Sequence, residues 1–229
     1  MTISNAAPQT VISGSASLER RYAHLALVSI AALLLAVIAV GLAPSSARAD
    51  NGATSVTQTM VNQALQILGS SSTPLPQRRR ALRALVEQNF NFETMSRSAL
   101  GYNWRSLSPD QRAQFTKLFT AFIEVAYLDK IQDYQGQQVQ FTGQHSLGDG
   151  YAEVDTKIVQ AGKSPISVNY LLEQKDGTWK IYDVTVEAIS IIANYRNQFN
   201  RVISQKGFDQ LLADLQAKQQ QLSSLLGEG

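Results

Sequence analysis

The 229-residue sequence contains no cysteine, and that absence constrains both its stability and its chemistry. No disulfide can close a loop, so the hydrophobic core alone must hold the fold. Thiolate nucleophiles, sulfur-ligated zinc and a lipidated-cysteine anchor are excluded with it. Histidine is nearly as scarce, with only His24 and His145. His145 would need several carboxylates around it to hold zinc, and none stands at ligand spacing, so it reads as a surface loop residue. No G-x-S-x-G elbow supplies an activated serine, and neither G-x-x-x-x-G-K-[ST] nor G-x-G-x-x-G is present to cradle phosphates. The residues call for no metal and no cofactor.

Long uncharged apolar runs are also missing, with one exception. Arg20 and Arg21 precede the apolar stretch 25–43, which gives way to Pro44-Ser45-Ser46-Ala47-Arg48-Ala49. A basic segment, an apolar segment and an A-x-A site in that order read as an export signal cleaved between Ala49 and Asp50. Residues 1–49 are thus assigned to a signal peptide and 50–229 to a single domain, with 216–229 a Gln- and Ser-rich frayed tail. A retained membrane anchor is the rival reading, because the stretch 25–43 is just long enough to span a bilayer. Glu19 and Tyr22 fit a twin-arginine signal poorly, and the export route stays open. Losing Arg20, Arg21 and Arg48 lowers Lys+Arg from 20 to 17, and losing Glu19 lowers Asp+Glu from 18 to 17. The mature chain is neutral, so nucleic acid is not an expected partner.

Apolar positions at helical spacing predict helices over 55–68, 77–89 and 92–100, then a long one opened by Ser108-Pro109. Phe115, Leu118, Phe119, Phe122 and Ala126 form a stripe on the long helix. Arg78, Arg79, Arg80 and Arg83 crowd the second helix, as a headgroup-binding patch or simply a solvated face. After Gly136 the period changes to two, predicting strands over 137–144, 151–161, 166–175 and 178–187. The short connections, among them Asp176-Gly177, suit an antiparallel meander wet on one side. Ser190 then caps a helix carrying Ile192, Tyr195, Phe199 and Val202 on one face, and Phe208, Leu211, Leu212 and Leu215 mark a last one. The expected fold is α+β: a four- to five-stranded antiparallel sheet with N- and C-terminal helices packed on one face around an apolar cavity.

Two blocks carry a family resemblance. Residues 179–199 read W-K-I-Y-D-V-x-V-E-x-x-S-x-x-x-N-Y-R-x-Q-F, and residues 90–115 read FNFETMSRSALGYNWRSLSPDQRAQF. Together they resemble the MlaC, or toluene-tolerance, family of periplasmic phospholipid-binding proteins, over roughly residues 56–215. Asn91 stands where that family usually has Asp, and Ala188 where Gly is common. The resemblance implies a periplasmic phospholipid carrier rather than an enzyme. Its partners would be an outer-membrane lipoprotein–porin complex and an inner-membrane ABC transporter complex with its lipid-binding ring, and its role the upkeep of outer-membrane lipid asymmetry.

Periodicity nominates the cavity wall: Phe115, Phe119 and Phe122 on the long helix, Val154, Ile158, Val168, Tyr170, Leu172, Tyr182 and Val184 on the sheet, and Ile192 and Tyr195 beyond it. Ordinary core packing competes for each of them. Arg97, Arg105 and Arg196 read as structural pairs or a docking surface. An isomerase- or dehydratase-like site is the alternative function, with Asp155, Asp183, Tyr170 and Tyr182 as the only suitable residues. Strand alternation turns Asp183 away from the apolar face and argues against it.

Overall fold

The computed structural model describes residues 52–128 and 134–225, so the expected signal peptide lies outside the described residues. Six α-helices appear among them: α1 Gly52–Gly69, α2 Leu75–Asn89, α3 Phe92–Leu100, α4 Pro109–Leu128, α5 Ile191–Lys206 and α6 Phe208–Leu225. A 3-10 turn, Gly101–Ser106, links α3 to α4. Five strands form one antiparallel sheet in chain order: β1 Gln138–Gly148, β2 Tyr151–Val159, β3 Ile166–Lys175, β4 Thr178–Val186 and β5 Ile189–Ser190. No described helix is long and apolar enough to cross a membrane.

Local chemistry sets the helix ends. Ser108 and Gln111 form a reciprocal capping box at the start of α4: the Gln111 N–H donates to the Ser108 hydroxyl at 3.2 Å and the Ser108 N–H to the Gln111 side chain at 2.9 Å. Ser190 caps α5 by accepting from the Ala193 N–H at 2.8 Å. Asn91 caps α3, accepting from the Thr94 N–H, while its amide donates to the buried Glu173 carboxylate at 2.6 Å. An aspartate there would set two carboxylates against each other, so Asn91 suits this chain. Ala188 takes the left-handed conformation expected of a glycine, with φ 63°, in the tight β4–β5 turn. The C-terminal helix departs from expectation by running on to Leu225. Its Gln and Ser residues are adequate helix formers, and Gln219 bonds Ser223 one turn on.

The sheet alternates as expected over β2 and β3, where Ala152, Val154, Thr156 and Ile158 register with Leu172, Tyr170, Val168 and Ile166. Their inner face is sealed, and helices from both chain ends cover it. Gln144 of β1 accepts from both the Thr54 N–H, at 3.0 Å, and the Thr54 hydroxyl, tying the first turn of α1 to the sheet. The outer face keeps the polar side chains, including an Asn169–Glu153 hydrogen bond and a contact of 2.8 Å between the His145 Nε2 and the Asp155 carboxylate. His145 is exposed as expected, but within β1 rather than a loop.

β4 breaks the alternation. Leu172 registers with Ile181 and Leu171 with Asp183, leaving Tyr182 without a partner. This β-bulge inserts one residue and reverses parity along the strand. Trp179 and Ile181 point inward before it, and Val184 and Val186 after it. Tyr182 therefore meets Tyr151 edge-on, 5.9 Å between ring centroids, on the outer face, which corrects its assignment to the cavity wall. Asp183 is buried, which corrects the parity argument that turned it outward.

Candidate functional site

A cleft opens beside β4, where five elements meet around a patch the sheet does not cover. Its walls are Arg83, Val86 and Phe90 from α2 and its end, Met95 from α3, and Ile123, Glu124 and Tyr127 from α4. Asp183 and Val184 of β4, with Ile191 and Ile192 of α5, close the far side. It holds about 540 Å³ of atom-free space, open mouth included. Apolar side chains dominate the lining, and its polar groups divide between two places.

At the inner end stands Asp183. Its carboxylate accepts from the Val184 N–H at 2.8 Å, the Ile192 N–H at 3.2 Å and the Ser190 hydroxyl, so it anchors the N-terminus of α5 to β4. Burial nevertheless raises its pKa above the ordinary 3.8, against the pull of those hydrogen bonds and of Arg196. Nearby, the Tyr127 hydroxyl is bonded to that of Tyr195, and burial pushes both phenols up, Tyr195 to about 12. Both stay neutral near pH 7.

A raised carboxyl pKa means the native state holds this proton to higher pH than the unfolded chain does. Stability should therefore fall as pH rises from 3.8 through the raised native value, then level off. We expect Asp183→Asn to fold and to lack this descending segment when denaturant melts are compared across pH. Asp183→Ala should lose about 1–3 kcal/mol, because buried donors at the start of α5 lose their acceptor. Equal pH profiles for wild type and Asp183→Asn would refute the assignment.

At the other end of the polar set, the Arg83 Nε lies 3.3 Å from the Glu124 carboxylate, joining α2 to α4 across the cleft. The Arg83 side chain is 30 % exposed and that of Glu124 7 %, so the pair runs from the mouth inward. The neighbouring arginines fit neither reading of the cluster as a whole. Arg79 is buried, and the Arg78 guanidinium donates to the Leu68 carbonyl at the end of α1. Arg80 alone of the four is exposed.

Of the residues nominated from periodicity, Val184 and Ile192 line the cleft. Tyr195 reaches its edge through Tyr127 and carries Phe122 against its own ring at 5.6 Å. Phe115 and Phe119 stack 5.5 Å apart and pack against Phe199, deep between α4 and α5. Val154, Ile158, Val168, Tyr170 and Leu172 lie in the sealed core under the helices. Asp155, Asp183, Tyr170 and Tyr182 do not converge, so the enzyme constellation is not assembled. Among the described residues no group of three or more His, Asp or Glu is placed to hold a metal. Arg196 is structural: its Nε donates to the Ser98 carbonyl at 2.7 Å. A side chain on Gly101 would stand 3.3 Å from the Arg196 stem, at φ +54°. Arg97 and Arg105 are exposed.

The sequence reading named Arg83 only within the basic cluster and missed Val86, Phe90, Met95, Ile123, Glu124, Tyr127 and Ile191. A signal existed for several. Arg83, Val86 and Phe90 recur at spacings of three and four along α2, and Ile123 and Tyr127 form a second stripe beside the phenylalanines. The arginine run and the stronger aromatic stripe masked both.

Comparison with known proteins gives a consistent picture. The chain is 28 % identical over 143 residues to the intermembrane phospholipid transport system binding protein MlaC of Haemophilus influenzae, covering 59 % of this chain and 67 % of that protein. A phospholipid-binding protein of Ralstonia solanacearum, solved in complex with a phospholipid, shares the fold with a TM-score of 0.67. The match is 22 % identical and covers 75 % of this chain and 98 % of that one. The family model described as MlaC protein matches residues 58–217, a span that holds the whole sheet and every wall of the cleft, and the chain belongs to the MlaC family.

Proposed function

We propose that this protein is a phospholipid carrier of the periplasm, exported by the signal at residues 1–49 and working as the single domain 50–229. It passes lipid between an outer-membrane lipoprotein–porin complex and an inner-membrane ABC transporter complex with its lipid-binding ring, and so helps to maintain outer-membrane lipid asymmetry. The observation that carries this reading is the apolar cleft between α2, α3, α4, β4 and α5, in a chain of this family. Its binding residues are taken to be the cleft lining, with Val184 and Ile192 retained from the sequence reading and Tyr195 at the edge.

The energetics require such a sheath. Each methylene in water costs roughly 0.8 kcal/mol, so one chain of about 16 carbons costs on the order of 12 kcal/mol to carry bare across an aqueous space. Volume limits what the closed cleft holds. At roughly 30 Å³ per water-sized group, one such chain needs about 480 Å³. Even with the open solvent at its mouth counted, the cleft's 540 Å³ falls short of the roughly 960 Å³ that two such chains need. A two-chain lipid requires α2 and α4 to part.

Catalysis has little to work with. The Asp183 carboxylate already accepts three hydrogen bonds, which leaves it poorly placed to take a proton from a substrate. Native mass spectrometry of the protein purified from exported material tests the carrier reading. The expected spectrum shows the chain beginning at Asp50 with a phospholipid mass added. A protein that purifies empty, and whose melting ignores added phospholipid, would overturn it.

A further inference from the structure

We propose that Arg83 is the phosphate-binding residue of the cleft, held by Glu124 in the closed protein and given up to the phosphodiester of an entering lipid. The inference rests on the carrier reading and assigns the headgroup end of that same site.

Three observations converge on it. First, among the described residues Arg83 is the one cation in the cleft lining, whose walls are otherwise apolar apart from Glu124, Tyr127 and Asp183. A lipid whose tails enter an apolar cleft leaves its phosphate at the mouth, and Arg83 is the more exposed member of its pair. Second, the Arg83–Glu124 contact at 3.3 Å joins α2 to α4, two of the walls of the cleft. Third, the opposite polar end is already committed, since Asp183 secures the start of α5.

The exchange is chemically balanced. A guanidinium forks onto a phosphate as readily as onto a carboxylate, so the cation keeps an anionic partner throughout. Opening the cleft brings water to Glu124, which removes the penalty of leaving a buried carboxylate alone. No proton or covalent bond needs to move. The carboxylate is thus a competitor for the lipid phosphate, and removing its charge should tighten lipid binding.

The test compares wild type, Glu124→Gln and the double variant Arg83→Gln/Glu124→Gln, loaded from vesicles of dipalmitoyl phosphatidylethanolamine or of a carrier lipid doped with dipalmitoylglycerol. Arg83→Gln alone is avoided because it strands a buried carboxylate. Glu124→Gln should hold the phospholipid several-fold more tightly than wild type. The double variant should hold it about tenfold to a hundredfold less tightly than Glu124→Gln, the usual range for one charged hydrogen-bonding group. Diacylglycerol, with the same tails and no phosphate, should load Glu124→Gln and the double variant equally, since the ion pair is gone from both. If Glu124→Gln does not fold, Arg83→Lys serves instead: it keeps the charge but loses the fork, and should weaken phospholipid and leave diacylglycerol unchanged. The proposal is overturned if both Gln variants weaken phospholipid alike, or if diacylglycerol binding falls with phospholipid binding from Glu124→Gln to the double variant. It is also overturned if millimolar inorganic phosphate displaces the lipid from Glu124→Gln, since the site would then serve a free anion. A wild type that takes up neither lipid would instead defeat the carrier reading itself.

Discussion

Tyr170→Arg should abolish folding. Tyr170 is fully buried on the inner face of β3, registered between Val154 and Val184, with burial raising its phenol pKa. An arginine at this point has no route to water, because the neighbouring strands and the helices above them are sealed. An unpaired ion in such a site costs several kcal/mol, set against a total stability of about 5–15 kcal/mol for a domain. The expected result is insoluble protein, or a soluble fraction with no cooperative melt by circular dichroism. Tyr170→Phe is the companion. Among the described residues the hydroxyl has no hydrogen-bond partner, so its removal should be neutral or stabilise by up to about 1 kcal/mol. A Tyr170→Arg protein that melts like wild type would mean the cleft extends to β3, and the division between core and cleft drawn above would be wrong.

Val86→Trp should have the opposite profile, leaving the fold intact and emptying it of lipid. Val86 is half-buried on α2, where it packs against the edge of the core and also lines the cleft. An indole there occupies room that an acyl chain needs, while the surrounding core is untouched. Overpacking a sealed position costs about 1–3 kcal/mol, but an open cleft avoids most of that strain. Lipid extraction should find wild type loaded and Val86→Trp empty. The melting difference should then report ligand alone: a native state holding lipid at a hundred times its dissociation constant gains about 2.7 kcal/mol, which the variant lacks. Stripped wild type and Val86→Trp should melt together. A loaded Val86→Trp would move the lipid site elsewhere.

The contrast between these two positions marks where sequence reasoning held and where it stopped. Helix α3 and strand β3 begin and end where periodicity and their flanking residues place them, and β4 begins at the expected Thr178 after the Asp176-Gly177 turn. Local pattern and turn chemistry act over a few residues, and both can be read from the letters. Periodicity also separates an inward face from an outward one. It does not say whether an inward side chain meets another side chain or a void, and so Phe119 is nominated for the cavity wall while Ile123, one turn along α4, is passed over. One is packed among aromatic rings and the other borders the cleft. The bulge at Tyr182 was hidden for a related reason. An inserted residue leaves no compositional trace in Ile181-Tyr182-Asp183-Val184, whose alternation looks regular whichever way it is counted. Its effect was to exchange the places of a tyrosine and an aspartate, the pair on which an enzyme reading depended. The arginines of α2 show a third limit. Capping α1, pairing with α4 and facing solvent are tertiary assignments, and four similar letters within six positions carry none of them.

The order of the sheet has a consequence for how the chain reaches this structure. Because strand order follows chain order, each main ladder closes through a short turn and pays little loop entropy. The surface so created is apolar, and its covering arrives from far away along the chain. Thr54 of α1 meets Gln144 across 90 residues, and α5 follows the last strand. A chain emerging from its N-terminus presents four helices before any strand exists for them to settle on. Their apolar stripes must wait, exposed to other chains, for residues 138–186 to be added and paired. The timing of the first helix is set by the last full strand.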